Sequence, residues 1–290
     1  MSSDHEWASI HDRDPIIHQA AYIGDLSKLR SLLKEQKQLK DINFKNRLGC
    51  TPLRLASTAG HTACVSYLIQ MGAEVNVADV KAQTPLYVAV KNKHIDCVKI
   101  LLENKADPNG NIQSLCSPLY IAAMDGFIEG VLVLVKYGAD MNGCQISMGS
   151  FISTPLYISI AYHHLDCFKA LLKAGADPDH TLRNTSNKGH TMPRQSLYHA
   201  VVRHNTDIDY AQLLYDMGAC IYAVDDKNRQ ASEMNKKNEC EEYIAELMCS
   251  PRSLASWCRI NIRETLGKDR LHRIHELRLP SKLTQYVKFE

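Results

Sequence analysis

The sequence lacks any long apolar run. The longest stretch of consecutive aliphatic residues is the five from Val131 to Val135, far short of the roughly 20 apolar residues that cross a membrane as a helix. The N-terminus mixes acids with histidines and has no basic segment followed by an apolar one. We therefore predict neither a secretory signal nor insertion into a membrane.

The sequence also lacks a strong net charge. Its 34 Lys and Arg against 32 Asp and Glu give a formal charge of +2, so no global attraction to nucleic acid or to an anionic membrane is expected. No nucleic-acid partner is predicted. Ten cysteines without a secretory signal are typical of reduced thiols in an intracellular protein. A cytoplasmic location is expected, with the nucleus as the alternative.

Local signatures of catalysis and of cofactor binding are missing as well. The sequence contains no Cys-x₂-Cys pair, no Gly-x-Gly-x-x-Gly and no Walker-type phosphate loop. Cys240, Cys249 and Cys258 are spaced evenly by nine residues, a spacing that no zinc module uses. We predict no catalytic residue, no cofactor and no metal site.

What the sequence does contain is a repeat. Thr-Pro-Leu or Ser-Pro-Leu begins four similar segments, at Thr51, Thr84, Ser117 and Thr154, with spacings of 33, 33 and 37 residues. Weaker copies that lack the Thr-Pro pair begin at Ile16 and Ser196. The hydroxyl before proline predicts a helix N-cap, and proline suits the first helical position.

Glycine predicts the end of the second helix in each repeat, because it adopts the left-handed conformation that closes a helix. Lys105 takes this place in the third unit, so we expect that helix end to be strained or differently capped. No single unit can bury its own apolar face, which predicts a stack of units.

The pattern resembles the ankyrin repeat over residues 15–248. The resemblance implies an all-α solenoid of about six repeats plus a degenerate capping unit from Asn228 to Met248, after an N-terminal tail at 1–14. Two insertions, Gly143 to Ser153 and Thr181 to Gln195, account for the stretched spacings. In solenoids such insertions tend to fall on one face, often the binding face.

The segment "HHLDC", His163 to Cys167, could pass for a metal cluster or a Cys/His nucleophile. His and Cys recur at equivalent places in the repeats, as His61, His94 and His164 and as Cys64, Cys97 and Cys167. Recurrence once per unit favours a packing role over chemistry, since a buried Cys behaves as a small hydrophobe. A Cys/His hydrolase is the disfavoured alternative.

A tyrosine follows the leucine of the first helix in four repeats, at Tyr87, Tyr120, Tyr157 and Tyr198. His18 and Arg54 fill this position in the first two units. These tyrosines could form an aromatic binding surface, or they could pack against one another between repeats. The packing role is favoured.

The second insertion is basic and contains no acid. It carries Arg183, Lys188, His190 and Arg194, which suits either a solvated loop or a contact with an acidic patch on a partner. We predict Arg183, Lys188, Arg194 and, in the first helix of the second repeat, Arg54 as contacts for a target protein.

After Met248 the repeat is lost, and "SPRSLASWCRINIRETLG" begins at Ser250. Ser250-Pro251 predicts a helix start and Gly267 a helix stop. Leu254, Cys258 and Ile262 lie four residues apart, so they form one narrow apolar stripe along that helix.

This segment resembles the SOCS box, and the resemblance implies a small three-helix module over residues 250–290. Within that family the stripe Leu254, Cys258 and Ile262 implies docking onto elongin C, the partner of elongin B. The downstream "LRLPSKLTQYV" resembles the element that selects cullin-5. The residues that match that element are Leu277, Leu279, Pro280, Leu283 and Tyr286. Arg278 departs from the proline that the family often has, which weakens the choice of cullin.

Together the two resemblances imply a non-catalytic substrate-recognition subunit of a ubiquitin ligase built from elongin B, elongin C, cullin-5 and a RING protein. The repeats would hold an unidentified target protein for ubiquitination. The alternative is an ankyrin-repeat scaffold without ligase function, in which the C-terminal helices only cap the solenoid.

Overall fold

The structure is a computed structural model, and it describes residues 14–35, 42–143, 145–147, 151–179, 196–225, 227–250, 252–266, 282 and 285. Three of the predicted target contacts, Arg183, Lys188 and Arg194, lie outside these residues. So do the predicted cullin-binding residues Leu277, Leu279, Pro280, Leu283 and Tyr286.

The described residues form helices joined by short loops. In chain order they are α1 Ile16–Ile23, α2 Leu26–Glu35, α3 Pro52–Ala59, α4 Thr62–Gln70, α5 Pro85–Lys91, α6 Ile95–Glu103, α7 Pro118–Met124, α8 Ile128–Lys136, α9 Pro155–Ala161, α10 Leu165–Ala174, α11 Leu197–His204, α12 Ile208–Asp216, α13 Glu239–Cys249 and α14 Leu254–Leu266. A 3₁₀ turn at Ala231–Glu233 precedes α13. Within the described ranges, no helix combines the length and apolarity needed to cross a bilayer.

The chain divides into two compact units. The first contains residues up to Ala122 together with Leu132–Asp140. In it α1, α3 and α5 pack in sequence against one another, and α2, α4 and α6 form a second layer beside them. Its core is aliphatic and includes Leu53, Leu86 and Leu101.

The second unit contains Ala123–Val131 and the residues from Met141 onward. Here α9 packs on α10 and α11, while α12 packs on α10, α11 and α13. The 3₁₀ turn contacts α11 and α13. The all-α ankyrin fold predicted from the repeat is confirmed.

The first insertion adds a small piece of sheet to this helical fold. Strand β1, Gln145–Ser147, pairs antiparallel with β2, Phe151–Ser153, with Gln145 opposite Ser153. The hairpin lies within the insertion predicted at Gly143 to Ser153.

The helix starts predicted at Thr51, Thr84 and Thr154 are confirmed. The Thr51 hydroxyl accepts a hydrogen bond from the Arg54 N–H at 3.2 Å, and Thr84 and Thr154 cap α5 and α9 in the same way. Proline follows each of these caps at the first helical position. Thr-Pro therefore fixes where these first helices begin.

A ladder of asparagine side chains, which was not predicted from the sequence, joins successive loops. Each rung is a side-chain oxygen that accepts a hydrogen bond from a backbone N–H of the next repeat. In the first unit the rungs run from Asn43 to Glu74, Asn76 to Asp107 and Asn109 to Asp140, at 2.7–2.9 Å. In the second unit they run from Asn142 to Asp177 and from Asp179 to Cys220.

Candidate functional site

Helix α14 begins three residues later than predicted. Ser253 caps it, because its hydroxyl accepts a hydrogen bond from the Ser256 N–H at 3.2 Å. Ser250 instead closes α13, donating from its hydroxyl to the Glu246 carbonyl at 3.1 Å. The described helix ends at Leu266. The stripe residue Leu254 is therefore the first residue of the helix.

One face of α14 packs against the end of α12. Ile260 is 5 % exposed, and Ser256 beside it is also buried. Ile260 lies over Gly218, so closely that a Cβ at that glycine would be 3.0 Å from Ile260 Cγ2. Gly218 has φ +92°, the left-handed conformation that glycine adopts readily. This glycine thus both ends the helix pair and gives Ile260 room to pack.

Arg252 binds the segment before α14 to the end of α12. Its guanidinium donates to the Ala219 carbonyl at 2.9 Å and lies 4.5 Å from the centroid of the Tyr215 ring. The Trp257 ring approaches the guanidinium at 5.8 Å. The Tyr215 hydroxyl donates to the Ser250 carbonyl at 3.0 Å. Cation–π contact and hydrogen bonds together fix how this segment leaves α13.

The opposite face of α14 is open. Leu254 is 80 % exposed, Cys258 is exposed and Ile262 is partly exposed. With 3.6 residues per turn, Cys258 points roughly 180° away from the face that carries Ser256 and Ile260. Trp257, 52 % exposed, lies beside the stripe. Apolar side chains at i, i+4 and i+8 are the arrangement that an amphipathic helix inserts into a groove.

The histidines and cysteines of the repeats have structural roles. His164 Nε2 donates to the Met124 carbonyl at 3.0 Å, and His94 Nε2 donates to the Thr58 carbonyl at 3.1 Å. Because a carbonyl oxygen only accepts, Nε2 carries the proton in both rings. Cys167 and Cys97 are buried, and burial raises the pKa of the Cys97 thiol. In the described part of the chain no cluster of His, Cys, Asp and Glu could hold a metal ion.

The structure corrects the alignment of the last repeat. Ser196 occupies the N-cap position of α11, so the residue three positions after it is His199, as Arg54 is three positions after Thr51. His199 Nε2 donates to the Arg229 carbonyl at 3.0 Å, and burial lowers the pKa of its imidazole. Tyr198 fills the leucine position instead and is buried.

The remaining tyrosines of the predicted set do not form an open aromatic surface. Tyr87 and Tyr120 are buried, and Tyr157 is partly buried with its hydroxyl 3.3 Å from His204 Nε2. These contacts favour the packing role over the binding surface.

Arg54 is the predicted target contact that the structure argues against. It is 5 % exposed, and its guanidinium lies 2.7 Å from the Asp79 carboxylate and 3.2 Å from Gln83 Oε1. A cation held this way between two repeats of the first unit has little surface to offer a partner. We therefore remove Arg54 from the target site.

Comparison with known proteins identifies both the repeats and the C-terminal segment. Residues 17–112 and 110–184 match the family described as "Ankyrin repeats (3 copies)", and residues 250–288 match the family described as "SOCS box". The second match contains all of α14. It also extends over the predicted cullin-binding residues.

Relatives that match nearly the whole chain are named for both the ankyrin repeats and the SOCS box. Human ankyrin repeat and SOCS box protein 1 is 47 % identical, covering 97 % of this chain and 90 % of its own length. Human ankyrin repeat and SOCS box protein 12 is 45 % identical, covering 94 % and 90 %. The crystal structure of the human ASB11 ankyrin repeat domain superposes with a TM-score of 0.64 at 27 % identity, covering 82 % of this chain and 100 % of that one. The chain belongs to the ankyrin repeat and SOCS box protein family.

Proposed function

We propose that this chain is a non-catalytic substrate-recognition subunit of a cullin-5 ubiquitin ligase, acting in the cytoplasm. The SOCS box recruits elongin B and elongin C through α14, and Leu277, Leu279, Pro280, Leu283 and Tyr286 select cullin-5 with its RING partner. The ankyrin repeats bind the target protein. Arg183, Lys188 and Arg194 in the second insertion stay among the proposed target contacts.

The observation that carries this proposal is the exposure of the stripe on α14. Ile260 on the opposite face is buried, so the helix is already docked and Leu254 and Cys258 still face solvent. Fully burying a leucine in a groove is worth roughly 1.5–3 kcal/mol. Cys258 is a small apolar residue that suits a shallow part of such a groove.

The contribution to ubiquitination would be proximity. A receptor that holds its target in the same assembly as the charged conjugating enzyme makes the encounter with a target lysine effectively intramolecular. No side chain of this chain needs to form or break a covalent bond in that role.

Co-purification with elongin B and elongin C tests the proposal. The Leu254→Ala/Cys258→Ala variant is expected to lose both elongins, while its far-UV circular dichroism and melting temperature stay unchanged. The matched control is Leu132→Ala/Cys249→Ala, which makes the same two changes at exposed positions outside α14. Equal recovery of the elongins with both double variants would refute docking through the stripe.

The competing hypothesis, a scaffold whose C-terminal helices cap the repeats, has its own support in the packing of Ile260 and Arg252. Because α14 caps the second unit and also leaves its stripe open, a loss of thermal stability on deleting residues 250–290 fits both hypotheses. Capture of the elongins separates them, since a pure cap needs no exposed stripe.

A further inference from the structure

Three consecutive loops of the first unit expose large apolar side chains. The loops span residues 43–50, 77–83 and 110–116, each just before the cap of a first helix. Their exposed apolar residues, which we call the tip face, are Phe44, Leu48, Val80, Ile112 and Leu115. Ile112 is fully exposed. The other four are between 37 % and 71 % exposed, so much of this face is accessible for contact.

Hydrogen bonds hold the three loops side by side. The Val80 N–H donates to the Leu48 carbonyl at 3.3 Å, and Lys45 Nζ donates to the Ala78 carbonyl at 3.0 Å. At the base of the loops, Asn76 accepts from the Asp107 N–H at 2.9 Å. The tip face is therefore presented by a connected row of loops.

The exposed charged side chains within the three loops are all positive. Lys45, Arg47 and Lys81 are exposed in these loops. The single acid within the three ranges is Asp79, whose side chain is 4 % exposed and paired with Arg54 at 2.7 Å. The loops themselves thus expose bulky apolar groups and positive charge, while the carboxylates of Asp14 and Glu74 border the first loop by accepting hydrogen bonds from Asn46 and Asn43.

We propose that the tip face binds a segment of the target protein that carries bulky apolar side chains next to acidic ones. The inference rests on the proposed function in that the occupant is the ubiquitination target. Apolar anchors supply the affinity, and carboxylates complement Lys45, Arg47 and Lys81. An anionic lipid surface fits less well, since basic patches that bind such lipids typically contain about four to eight Lys or Arg.

Selection from a phage-displayed library of random 16-residue peptides on the full-length chain tests this proposal. Enriched peptides are expected to contain Asp or Glu beside Phe, Leu or Trp. Leu115→Ser should weaken the binding of a selected peptide at least about tenfold, the effect of exposing one anchor. Leu132→Ser, the same change at an exposed residue of α8 in the first unit, should leave binding within about twofold.

A second variant isolates the charge. Arg47→Glu/Lys81→Glu is expected to abolish the preference for acidic peptides, whereas Lys136→Glu on α8 preserves it. Failure to enrich any peptide, enrichment without acids, or equal binding by Leu115→Ser would overturn the proposal. Binding to vesicles of phosphatidylcholine and phosphatidylserine that Leu115→Ser abolishes would assign the face to membranes. A tip-dependent dimer in sedimentation would assign it to a second copy of the chain.

The elongin experiment keeps this inference separate from the ligase hypothesis. Both tip-face variants are expected to recover elongin B and elongin C as well as the wild-type chain does. Loss of peptide binding with normal elongin recovery would concern the tip face alone. Peptide binding without any elongin recovery would instead refute the ligase hypothesis and leave the peptide-binding face in place.

Discussion

Lys105 ends α6 with a backbone φ of +67°, where the other repeats have Gly72, Gly138 and Gly175. A side chain with a Cβ adopts this left-handed conformation at a cost of roughly 1–2 kcal/mol. The Ala106 N–H still closes the helix by donating to the Leu101 carbonyl at 2.9 Å. The helix end keeps its closing hydrogen bond, and the positive φ of Lys105 is the strained alternative of the two that the sequence predicted.

Replacing Lys105 by glycine is therefore expected to stabilise the chain. The relief of backbone strain exceeds the entropy that glycine adds to the unfolded state, which leaves a net gain of about 0.5–1 kcal/mol in the free energy of unfolding. Equilibrium urea unfolding measures this gain. Lys105→Ala removes the same charge and keeps a Cβ, so no gain is expected from it. A similar gain from alanine would attribute the effect to the charge.

Other single positions could not be predicted from the sequence, because burial depends on neighbours that the sequence does not place together. Arg54 was predicted as a target contact, yet Asp79 and Gln83 in the next repeat bury its guanidinium. Tyr198 was assigned to the position that His199 occupies, because the last repeat lacks the Thr-Pro pair that fixes the alignment elsewhere. Only the cap at Ser196 in the structure resolved that register.

The sequence predicted the apolar stripe of helix α14 but not the face by which the helix packs. The four-residue spacing predicted the stripe of Leu254, Cys258 and Ile262, and the structure leaves it on the open side. The spacing could not predict which face docks, since Ile260 is as apolar as Ile262. Gly218 and Ala219, which directly follow α12, decide this, because Gly218 leaves room for Ile260 and Ala219 offers its carbonyl to Arg252.

The two faces of α14 should be separable by mutation. Ile260→Ala removes the anchor over Gly218 and is expected to lower the free energy of unfolding by about 2 kcal/mol, the low end for a buried isoleucine. Thermal unfolding measures that loss. Elongin recovery well below the melting temperature should persist, because Leu254 and Cys258 are untouched.

The Leu254→Ala/Cys258→Ala variant is the reciprocal control, expected to lose elongin and keep stability. If Ile260→Ala abolished elongin recovery while the chain stayed folded, docking of α14 on α12 would be part of the elongin site. The two faces would then be coupled.

At the scale of the whole molecule, the asparagine ladder links the loops of successive repeats by hydrogen bonds that the pattern of helices does not predict. An asparagine recurs every 33 residues in the sequence, at Asn43, Asn76, Asn109 and Asn142. This period was the only indication of the ladder in the sequence. The partner of each rung is a backbone N–H in the next repeat, and only the folded chain brings it within reach. Asp179 accepts from Cys220 with both carboxylate oxygens, so an acid also serves in this position.

Stability in a repeat protein is close to a sum of terms for units and their interfaces, so separate rungs should contribute separately. Asn43→Ala and Asn109→Ala each remove one exposed rung of the first unit, at an expected cost of about 0.5–1.5 kcal/mol in the free energy of unfolding. Their rungs share no residue, so the double variant should lose the sum to within about 0.5 kcal/mol. Urea unfolding measures all three variants.

Gln113→Ala is the matched control for the ladder, because it deletes an exposed amide in the loop at 110–116 that is not a rung. It is expected to change the free energy of unfolding by less than about 0.5 kcal/mol. A control loss equal to that of Asn109→Ala would mean that the ladder contributes nothing specific. A double-variant loss well below the sum would show that the rungs act cooperatively, since the second rung would then be worth less once the first is gone.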